Sequence, residues 1–360
     1  MRCGSELFII GTIKGAGVRY VIILKNMMPM KHVFVVNPSA GGRDRSGDIA
    51  AALAATGVDT ELYRTRGPRD ATRFVARWCA DHPGEEVRFY SCGGDGTLNE
   101  VVSGVMEAES GEWKVESGEW KVESGKWRVE SGKRKVESGE RRVEVACYPC
   151  GSGDDFVRYW AGTDFADLGA LMQGEAVPVD VMRVGDRYCV NTLNFGFEAA
   201  VCHAMASVRR VPVVGGRMAY TSGIVASLAT GRRNRCRVSV DGEVWLDGEV
   251  LLLSVANGQW AGGGYHCAPR AKNDDGLLEV MAVKPMSVAR FAKLIKYYKN
   301  GELLDREELR PIVSYRRGAR VLIEPLRDSY VATDGEILPG TCFDVECLPK
   351  AVNFVVPANN

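Results

Sequence analysis

The sequence predicts an α/β fold in two parts: a parallel-sheet nucleotide-binding domain, then a mainly antiparallel β domain. Three observations lead to this prediction. Apolar strand-like runs alternate with amphipathic stretches from about residue 32 to about residue 175. Three of those runs end in glycine-bearing turns, and after about residue 176 short alternating β segments dominate. Strand–helix repeats of the first kind form parallel sheets, with ligands bound beyond the carboxyl ends of the strands.

The elements of the first part follow from apolar runs and from helical spacing of apolar residues. Residues 33–36 are apolar throughout, as expected for a strand buried on both faces. In a later stretch, Ala71, Phe74, Val75 and Trp78 share one helical face. The predicted strands are 33–36, 58–63, 87–91 and 143–148, and the predicted helices are 46–56, 69–80 and 97–106.

The most informative motif is Gly-Gly-Asp-Gly-Thr-Leu-Asn-Glu at residues 93–100, between a predicted strand and a predicted helix. Glycines let the backbone approach a ligand closely and adopt positive φ without steric cost. The N-terminus of the following helix adds unpaired N–H donors and a positive dipole end, which suit a phosphate. Asp95 stands between glycines, where it is placed to face a nucleotide or its metal. The plainer alternative is an ordinary strand–turn–helix corner with an aspartate N-cap.

Two more glycine turns follow predicted strands. One reads Asn-Pro-Ser-Ala-Gly-Gly at residues 37–42, and the other reads Pro-Cys-Gly-Ser-Gly-Asp-Asp-Phe at residues 149–156. Because the carboxyl ends of parallel strands share one edge of a sheet, the three turns are expected to lie together. Their agreement predicts a phosphate-binding edge more strongly than any single turn.

Five tandem heptads occupy residues 109–143, from Glu-Ser-Gly-Glu-Trp-Lys-Val to Glu-Ser-Gly-Glu-Arg-Arg-Val. A coiled coil is disfavoured because only valine and some tryptophans are apolar, two positions apart. The glycine in each repeat also costs a helix about 1 kcal/mol. We therefore predict a mostly disordered, solvated loop produced by sequence expansion.

The second part is predicted from shorter β segments, with helix-like stretches between them. The predicted strands are 179–184, 188–193, 235–240, 250–256 and 278–283, and the predicted helices are 198–208, 217–230 and 288–298. The predicted organisation is an unassigned extension (1–29), an α/β domain (30–175) with the inserted repeat, a β-rich domain (176–340), and a C-terminal segment (341–360) that returns to the first domain.

Composition narrows the functional classes. The chain has 360 residues, 46% apolar and 26% charged, as in ordinary globular proteins with two cores. Its formal net charge is zero, so we predict no nucleic-acid partner. Eleven cysteines without an export signal predict buried free thiols in a reducing cytoplasm. Cys147 and Cys150 form a Cys-x-x-Cys, but Pro149 and a strand context favour packing over a redox or zinc site.

The first 29 residues predict no membrane span. Residues 8–24 are hydrophobic, but Lys14, Arg19 and three glycines interrupt them. Met27, Met28 and Met30 precede the first clean strand, so the true start codon stays open.

Taken in order, these motifs resemble the catalytic family of diacylglycerol kinases, and within it the bacterial soluble lipid kinases. The resemblance spans about residues 31–357 apart from the repeat. The matching segments are 37–39, 93–100, 149–156, 194–197, 262–264, 268–269, 274–277 and 334–336. The motif at 93–100 alone also suits NAD kinases, whereas the later segments do not.

The resemblance implies an NAD kinase/diacylglycerol kinase-like α/β domain and a β-sandwich domain. ATP and Mg²⁺ would serve to phosphorylate a lipid hydroxyl in the cleft between them. The backbone that would hold the ATP phosphates belongs to Gly93, Gly94, Asp95, Gly96 and Thr97. The other nucleotide contacts implied are Asn37, Pro38, Ser39, Thr65, Asn99, Glu100, Ser152 and Glu336.

The third turn departs from the family pattern at two positions. Ser152 replaces the usual threonine and keeps the hydroxyl. Asp154 replaces the usual asparagine, which adds a negative charge near the polyphosphate. Either Mg²⁺ compensates that charge or the nucleotide binds more weakly.

Asp334 is the predicted general base. Phosphoryl transfer needs the acceptor hydroxyl aligned and its proton accepted, and a carboxylate within hydrogen-bond reach can do this. The Ala-Thr-Asp-Gly-Glu segment at 332–336 fits a strand end, and the resemblance assigns the base to Asp334. The alternative is a type I′ hairpin turn, for which Asp-Gly is the favoured pair.

Asp275 lies in Asp-Asp-Gly, which by itself indicates a turn. The resemblance implies a structural Mg²⁺ there, bound by Asp275 and the carbonyls of Lys272 and Leu277. Oxygen ligands of this kind suit Mg²⁺.

A group of arginines, here called the basic rim, surrounds the predicted helix 217–230. Its members are Arg209, Arg210, Arg217, Arg232, Arg233, Arg235 and Arg237. A basic rim beside an apolar face suits peripheral contact with anionic lipid at the inner face of the membrane. A merely solvated basic edge is the alternative.

The leading prediction is an ATP- and Mg²⁺-dependent lipid kinase with diacylglycerol as the acceptor. One alternative is a small-metabolite kinase of the NAD kinase type. The other is a lipid-binding sensor with weak catalysis, to which Asp154 and the inserted repeat point. The sequence leaves the oligomeric state open, a homodimer included.

Overall fold

A computed structural model describes residues 8–13, 18–23, 30–110, 142–208 and 233–358. Near the N-terminus, β1 (Phe8–Ile13) and β2 (Val18–Ile23) pair antiparallel as a separate two-stranded sheet. This hairpin falls in the extension that the sequence left unassigned. Within the described ranges, no helix is long and apolar enough to cross a bilayer.

The next part of the chain has the predicted α/β order. Its elements are β3 (Lys31–Val36), α1 (Ser46–Thr56), β4 (Thr60–Arg64), α2 (Asp70–Asp81), β5 (Val87–Gly93), α3 (Asp95–Ser110) and β6 (Val143–Pro149). The strands lie in the order β4-β3-β5-β6, and all three pairings are parallel. The last four residues of β3 are buried, which explains their unbroken apolar run.

The remaining elements build two layers that are mostly antiparallel. They are α4 (Leu168–Met172), β7 (Glu175–Val184), β8 (Arg187–Cys189), β9 (Thr192–Gly196), α5 (Phe197–Val208), β10 (Asn234–Val240), β11 (Glu243–Val250), β12 (Leu252–Ala256), β13 (Leu278–Val283), α6 (Val288–Lys299), β14 (Val313–Gly318), β15 (Arg320–Pro325), β16 (Ser329–Thr333), β17 (Glu336–Gly340) and β18 (Phe343–Val356). Six of the strands form an antiparallel sheet in the order β14-β13-β12-β9-β16-β17.

This six-stranded sheet packs face to face on part of the large sheet. The shared core includes Phe195 and Val280 from one layer and Val238 and Ile323 from the other. Helix α6 packs on the opposite face of the six-stranded sheet, around Phe291 and neighbouring apolar residues. The predicted combination of a parallel-sheet domain and an antiparallel β-sandwich is therefore what the chain forms.

Two long strands run through both parts. The early half of β18 pairs with β15, and its last residues pair parallel with β6 at Asn353↔Glu144 and Phe354↔Val145. Strand β7 pairs with β18 over nearly its full length. The large sheet therefore continues from one domain into the other, and the domain limits at 175 and 340 stay predictions.

The structure differs from the sequence prediction at several elements. The predicted strand 188–193 is two strands, β8 and β9, separated at Val190 and Asn191. Strands β11 and β14 to β18 were not predicted as strands. The predicted helix 217–230 and residues 111–141 of the heptad repeat lie outside the described residues.

The repeat is inserted between α3, which ends at Ser110, and β6, which begins at Val143. A helix-to-strand connection in a parallel sheet returns to the amino ends of the strands. The glycine turns follow the carboxyl ends, so they lie at the opposite edge of the sheet.

Candidate active site

The three glycine turns meet at one edge of the parallel sheet. The first follows β3, the second joins β5 to α3, and the third follows β6. Asn37 Nδ2 of the first turn donates a hydrogen bond to Thr97 Oγ1 of the second at 3.0 Å. Cys150 N of the third turn donates to Gly93 O of the second at 2.8 Å. The expected convergence of the three turns is present.

Glycines are required where the turns touch. A Cβ on Gly41, which has a φ of 62°, would lie 2.4 Å from the carbonyl oxygen of Cys150. A Cβ on Gly151 would lie 2.5 Å from Gly94 Cα. Such contacts are too short for any side chain, so the turns approach this closely only through glycine.

The start of α3 has the character of an anion-binding site. Thr97 N and Leu98 N both donate to Gly94 O, at 2.9 and 3.1 Å, so the helix begins within the second turn. A Cβ built on Gly96 meets no atom within 4 Å among the described residues, which leaves open space beside the first helical turn. Backbone N–H groups at a helix N-terminus favour phosphate. The residues at the start of α3 therefore fit the phosphates of a nucleoside triphosphate.

A surface cavity of about 530 Å³ adjoins this edge, lined by Pro38, Leu62, Tyr63, Arg64, Thr65 and Arg66. Thr65 follows β4 and donates its N–H to Val36 O at 2.9 Å. Ser39 N donates to Asn37 Oδ1 at 3.0 Å, which closes the first turn on itself. Ser152 is exposed in the third turn. These predicted nucleotide contacts thus gather around one edge of the sheet.

Asp95 holds the third turn in place. Its Oδ1 accepts a hydrogen bond from Phe156 N at 3.0 Å, at the start of a short 3-10 helix. Its neighbour Asp154 adopts a φ of 49° and accepts from Gly151 N at 3.1 Å. Burial raises the pKa of Asp154 to about 6, and the negative charge of Asp95 is the second largest cause.

Asp155 connects the two domains, which the sequence analysis did not predict. Its carboxylate accepts hydrogen bonds from Gly263 N at 2.7 Å and Gly264 N at 2.8 Å. Both glycines have positive φ, so their amides turn toward the carboxylate. The adjacent Asp-Asp pair and the run of three glycines were the available sequence signals.

Asp334 lies at the turn between β16 and β17. Its Oδ1 accepts from Asn191 N at 3.1 Å and Thr192 N at 2.9 Å. Its Oδ2 accepts from Val190 N at 2.7 Å and from Asn99 Nδ2 of α3 at 2.8 Å. Burial raises the pKa of the carboxyl, against the opposing effect of these hydrogen bonds. At the break between β8 and β9, three consecutive backbone N–H groups therefore point at this residue.

Asn99 joins the two domains at the same point. The second hydrogen of its Nδ2 bonds to Tyr188 O of β8 at 2.9 Å. Asn99 stands four residues after the start of α3, which is about 6 Å along the helix axis. One helix therefore carries both the second glycine turn and a direct contact to Asp334.

Glu100 and Glu336 are placed differently from each other. The Glu100 carboxylate accepts from Arg69 N at 2.8 Å and Ala71 N at 3.1 Å, and so caps α2. Burial raises the pKa of Glu100, and the charge of nearby Glu336 adds to this. Glu336 lies 3.8 Å from the guanidinium of Arg187. Their nucleotide contacts stay predictions, and for Glu100 the visible role is structural.

The proposed Mg²⁺ ligands, Lys272, Asp275 and Leu277, lie in the loop before β13. Asp275 Oδ1 accepts from Leu277 N at 3.1 Å, and its Oδ2 is ion-paired with Arg317. Both carboxylate oxygens are thus engaged, one of them by a cation. Among the described residues, no group of three or more His, Cys, Asp or Glu side chains is arranged to hold a metal. The Mg²⁺ site therefore stays a prediction, and the partners that the structure gives Asp275 are Leu277 N and Arg317.

A buried aspartate shapes that loop instead. Asp180 of β7 accepts from Gly276 N and from Lys350 N, both at 2.7 Å. Asn257 Nδ2 donates to the carbonyls of Asp180 and Val190 at 2.8 and 2.9 Å. Neither residue was predicted, because a lone Asp in a strand and a lone Asn after one carry no motif.

The described part of the basic rim is paired with carboxylates. Arg235 and Arg237 both contact Asp247, at 3.3 and 3.0 Å, and Arg233 contacts Glu249 at 2.8 Å. These pairs lie on the exposed face of β10 and β11, where they favour the solvated-edge interpretation. The other four rim arginines lie outside the described residues.

Two protein-family models match the chain in succession. The one described as the diacylglycerol kinase catalytic domain matches residues 31–184. The one described as the YegS C-terminal NAD kinase beta sandwich-like domain matches residues 191–356. The boundary between the matches falls between β7 and β9.

Relatives of similar length give the same result. A Stenotrophomonas maltophilia protein named "Probable lipid kinase YegS-like" is 28% identical over 333 residues, covering 90% of this chain and 95% of the relative. A Staphylococcus aureus protein named diacylglycerol kinase is 25% identical over 320 residues, covering 87% and 89%. The crystal structure of a Bacillus anthracis diacylglycerol kinase, 21% identical, covers 91% of this chain and 96% of that one with a TM-score of 0.58, which shows a shared fold.

The family matches and the relatives together identify a two-domain kinase. Residues 31–184 belong to the diacylglycerol kinase catalytic-domain family, and residues 191–356 belong to the YegS C-terminal domain family. The predicted resemblance, fold class and enzyme class are confirmed.

Proposed function

We propose that this chain transfers the γ-phosphoryl group of ATP, in the presence of Mg²⁺, to a lipid hydroxyl, with diacylglycerol converted to phosphatidic acid. The observation that carries the proposal is the arrangement around α3. Three glycine turns surround its N-terminus, and Asn99 one turn later contacts Asp334 of the other domain at 2.8 Å. The reacting phosphoryl group and a proton acceptor would then lie on the two sides of one cleft.

Each group in this arrangement has a chemical task. Backbone amides at the start of α3 would hold phosphate oxygens, and bound Mg²⁺ would neutralise part of their charge. Asp334 would accept the proton of the acceptor hydroxyl. Its raised pKa, caused by burial, makes it a stronger base than an exposed carboxylate. The acceptor hydroxyl must reach Asp334 beside the four N–H donors that already bond to its carboxylate. Three of these donors are backbone amides, and the fourth is the Asn99 side chain.

The acceptor class rests on relatives and not on a pocket. Relatives named lipid kinase and diacylglycerol kinase span nearly the whole chain. A lipid acceptor requires contact with a membrane surface at the cytoplasmic face. The three described arginines of the basic rim are ion-paired with the two carboxylates of Asp247 and Glu249, so we assign this contact to no described face.

The test is a radiolabelled-ATP screen of the full chain against diacylglycerol, sphingoid bases, phosphatidylglycerol and polyprenols, with NAD as a further acceptor. Asp334→Asn is expected to lower lipid phosphorylation about 10²- to 10⁴-fold while ATP binding, measured by calorimetry, persists. Asp328→Asn, an exposed aspartate in the turn before β16, is the matched control.

Two results would overturn the proposal. Phosphorylation of NAD alone would assign the chain to the small-metabolite kinases. Lipid binding without transfer to any lipid in the panel would make it a lipid sensor.

A further inference from the structure

Asp154 occupies the contact point between the second and third glycine turns. Its Oδ1 accepts from Gly151 N at 3.1 Å. The same oxygen lies 2.7 Å from where a Cβ on Gly151 would stand and 3.8 Å from where a Cβ on Gly94 would stand. The carboxyl therefore forms part of the floor of the proposed phosphate site.

The groups around this carboxyl are mostly acidic. Asp95 from α3 and Asp155 from the third turn both face it, and the positive charge that faces it is Arg158. Arg158 Nε lies 3.2 Å from Asp155 Oδ1, and another of its nitrogens donates to Gly153 O at 2.9 Å. Arg158 thus bonds to oxygens other than those of Asp154, and Asp154 forms no ion pair with a cation among the described residues.

The remaining neighbours are two thiols, and the positive charge beside them, Arg45, is hydrogen-bonded to the thiol of Cys150. Cys147 of β6 and Cys150 of the third turn have thiol pKa values that are raised, chiefly by burial, so both stay neutral. From the other domain, the loop that packs here is the glycine run whose amides bind Asp155. The pKa of Asp154 is already raised to about 6 before any nucleotide arrives. A triphosphate beside it would disfavour the ionised form further.

From this arrangement we infer that the chain binds ATP together with one proton, which Asp154 takes up from solvent. The inference rests on the nucleotide site of the proposed function. The neutral carboxyl removes one negative charge from the site. Its O–H group becomes a donor, while its other oxygen keeps the bond from Gly151 N. A protonated aspartate thereby matches the amide of asparagine, the residue usual at this position in the family that the motif resembles.

Proton uptake on binding is measured by titrating the full chain with Mg-ATP in buffers of different ionisation enthalpy at pH 7.5. The wild-type chain is expected to take up between about 0.5 and 1 proton per ATP. Asp154→Asn is expected to take up close to none, because asparagine does not ionise. Asparagine also tolerates the left-handed backbone of residue 154, so this variant is expected to fold.

Affinity gives a second readout. Wild-type affinity for ATP is expected to fall by up to about tenfold per pH unit above pH 7, whereas the affinity of Asp154→Asn stays nearly constant. Asp164→Asn, which removes an exposed aspartate in the same region, is expected to behave as wild type. Thermal unfolding of each variant confirms that the comparison is between folded proteins.

The outcomes separate this inference from the proposed function. ATP binding without proton uptake by the wild-type chain, or equal uptake by wild type and Asp154→Asn, would overturn the role of Asp154 and leave the kinase proposal standing. Binding of an additional Mg²⁺ in place of a proton would also overturn it. Failure of every variant to bind ATP would instead overturn the nucleotide site itself.

Discussion

Asp334 meets two structural demands with one residue. Asp334 and Gly335 have φ values of 47° and 87°, which form the tight turn that joins β16 to β17. The same left-handed conformation directs the carboxylate toward the amides of residues 190–192. The hairpin interpretation and the general-base interpretation are therefore compatible, although the sequence presented them as alternatives.

The Asn99 side chain provides a test of how Asp334 is tuned. A hydrogen bond to the charged form of a carboxyl favours that form, so Asn99→Ala is expected to raise the pKa of Asp334. The acid limb of the pH profile of kcat should move to higher pH by about 0.5 to 1 unit, because such a bond is worth about 1 kcal/mol. The KM for ATP, measured alongside, reports separately on the nucleotide contact that the sequence predicts for Asn99.

The control for Asn99 is Ser103→Ala. Ser103 lies on the same helix and contacts Asn99 Oδ1 at 3.5 Å, without touching Asp334. An unchanged pH profile in Asn99→Ala would show that Asn99 has a structural role alone.

The glycines of the turns allow a comparison at matched positions. Gly151→Ala places a Cβ 2.5 Å from Gly94 Cα, so it is expected to lower the free energy of unfolding by about 1–3 kcal/mol and to abolish ATP binding. Gly96→Ala has open space around its Cβ and a helical setting, so stability should be kept or improved by about 1 kcal/mol.

Gly96→Ala should nevertheless weaken ATP binding at least tenfold, since its methyl group enters the space proposed for phosphate. Calorimetric titration and thermal unfolding separate these two effects. Undiminished ATP affinity in Gly96→Ala would place the phosphates elsewhere.

At the residue scale, the sequence predicts the parts of the site that have special backbone chemistry. Gly94, Gly151 and Asp334 could be predicted because glycine turns and Asp-Gly pairs are typical of a small number of backbone conformations. Asp180 and Asn257 could not be predicted, since they receive or donate hydrogen bonds across long sequence separations. For Asp155 the motif was visible, but its contact with the glycine run was not. The motif predicts Glu100 as a nucleotide contact, but it does not reveal that the Glu100 carboxylate caps α2.

Among the elements, α5 and α6 share a buried polar contact. The Tyr298 hydroxyl of α6 donates to Glu198 Oε1 at the start of α5. Glu198 Oε2 is buried without a hydrogen-bond partner among the described residues. Burial raises the pKa of Glu198 to about 7, against the opposing effect of the Tyr298 hydrogen bond, so the neutral acid is favoured by burial.

This contact predicts a pH dependence of stability. Because the pKa is raised on folding, the stabilisation is full below the unfolded value of about 4.5 and is lost as the pH rises through about 7. The loss should amount to about 3 kcal/mol. Glu198→Gln is expected to flatten the dependence of Tm on pH between 5 and 8.

Glu308→Gln, at an exposed position after α6, is the control and should keep the wild-type dependence. A Glu198→Gln curve parallel to that of the wild type would assign the pH dependence to other groups.

Elements of the α/β part were easier to predict than those of the β-sandwich. A parallel strand buried on both faces reads as an apolar run, and helices leave a 3.6-residue period. Strands β14 to β17 are short and half-buried, and β18 contains Pro349 and several charges. Such strands are defined by their partners more than by their own residues.

On the scale of the whole molecule, β18 makes the two domains interdependent. Phe354 near its end is 1% exposed, and it stacks on Trp160 at 4.9 Å and packs edge-on to Phe156 at 5.1 Å. All three belong to the core of the α/β part. The early half of β18 belongs to the sandwich core through Phe343 and Val345.

Removing residues 341–360 is therefore expected to unfold both parts. Loss of Phe354 alone should cost about 3–5 kcal/mol, and the deletion also removes the parallel partner of β6. Circular dichroism and size-exclusion chromatography would report the loss. A chain shortened only by residues 359 and 360 should behave as the full chain does. A folded α/β part in the longer truncation would show that the domains are independent.

The heptad tract enters and leaves the fold at the side of the sheet away from the proposed catalytic cleft. For a loop of the predicted kind, one further copy adds only about 0.2 kcal/mol of closure entropy at this length. A change in the number of copies at this position is therefore expected to have almost no effect on nucleotide binding. Natural variants that differ only in the count of these units should be equally active, which makes the site a tolerant place to insert a reporter peptide.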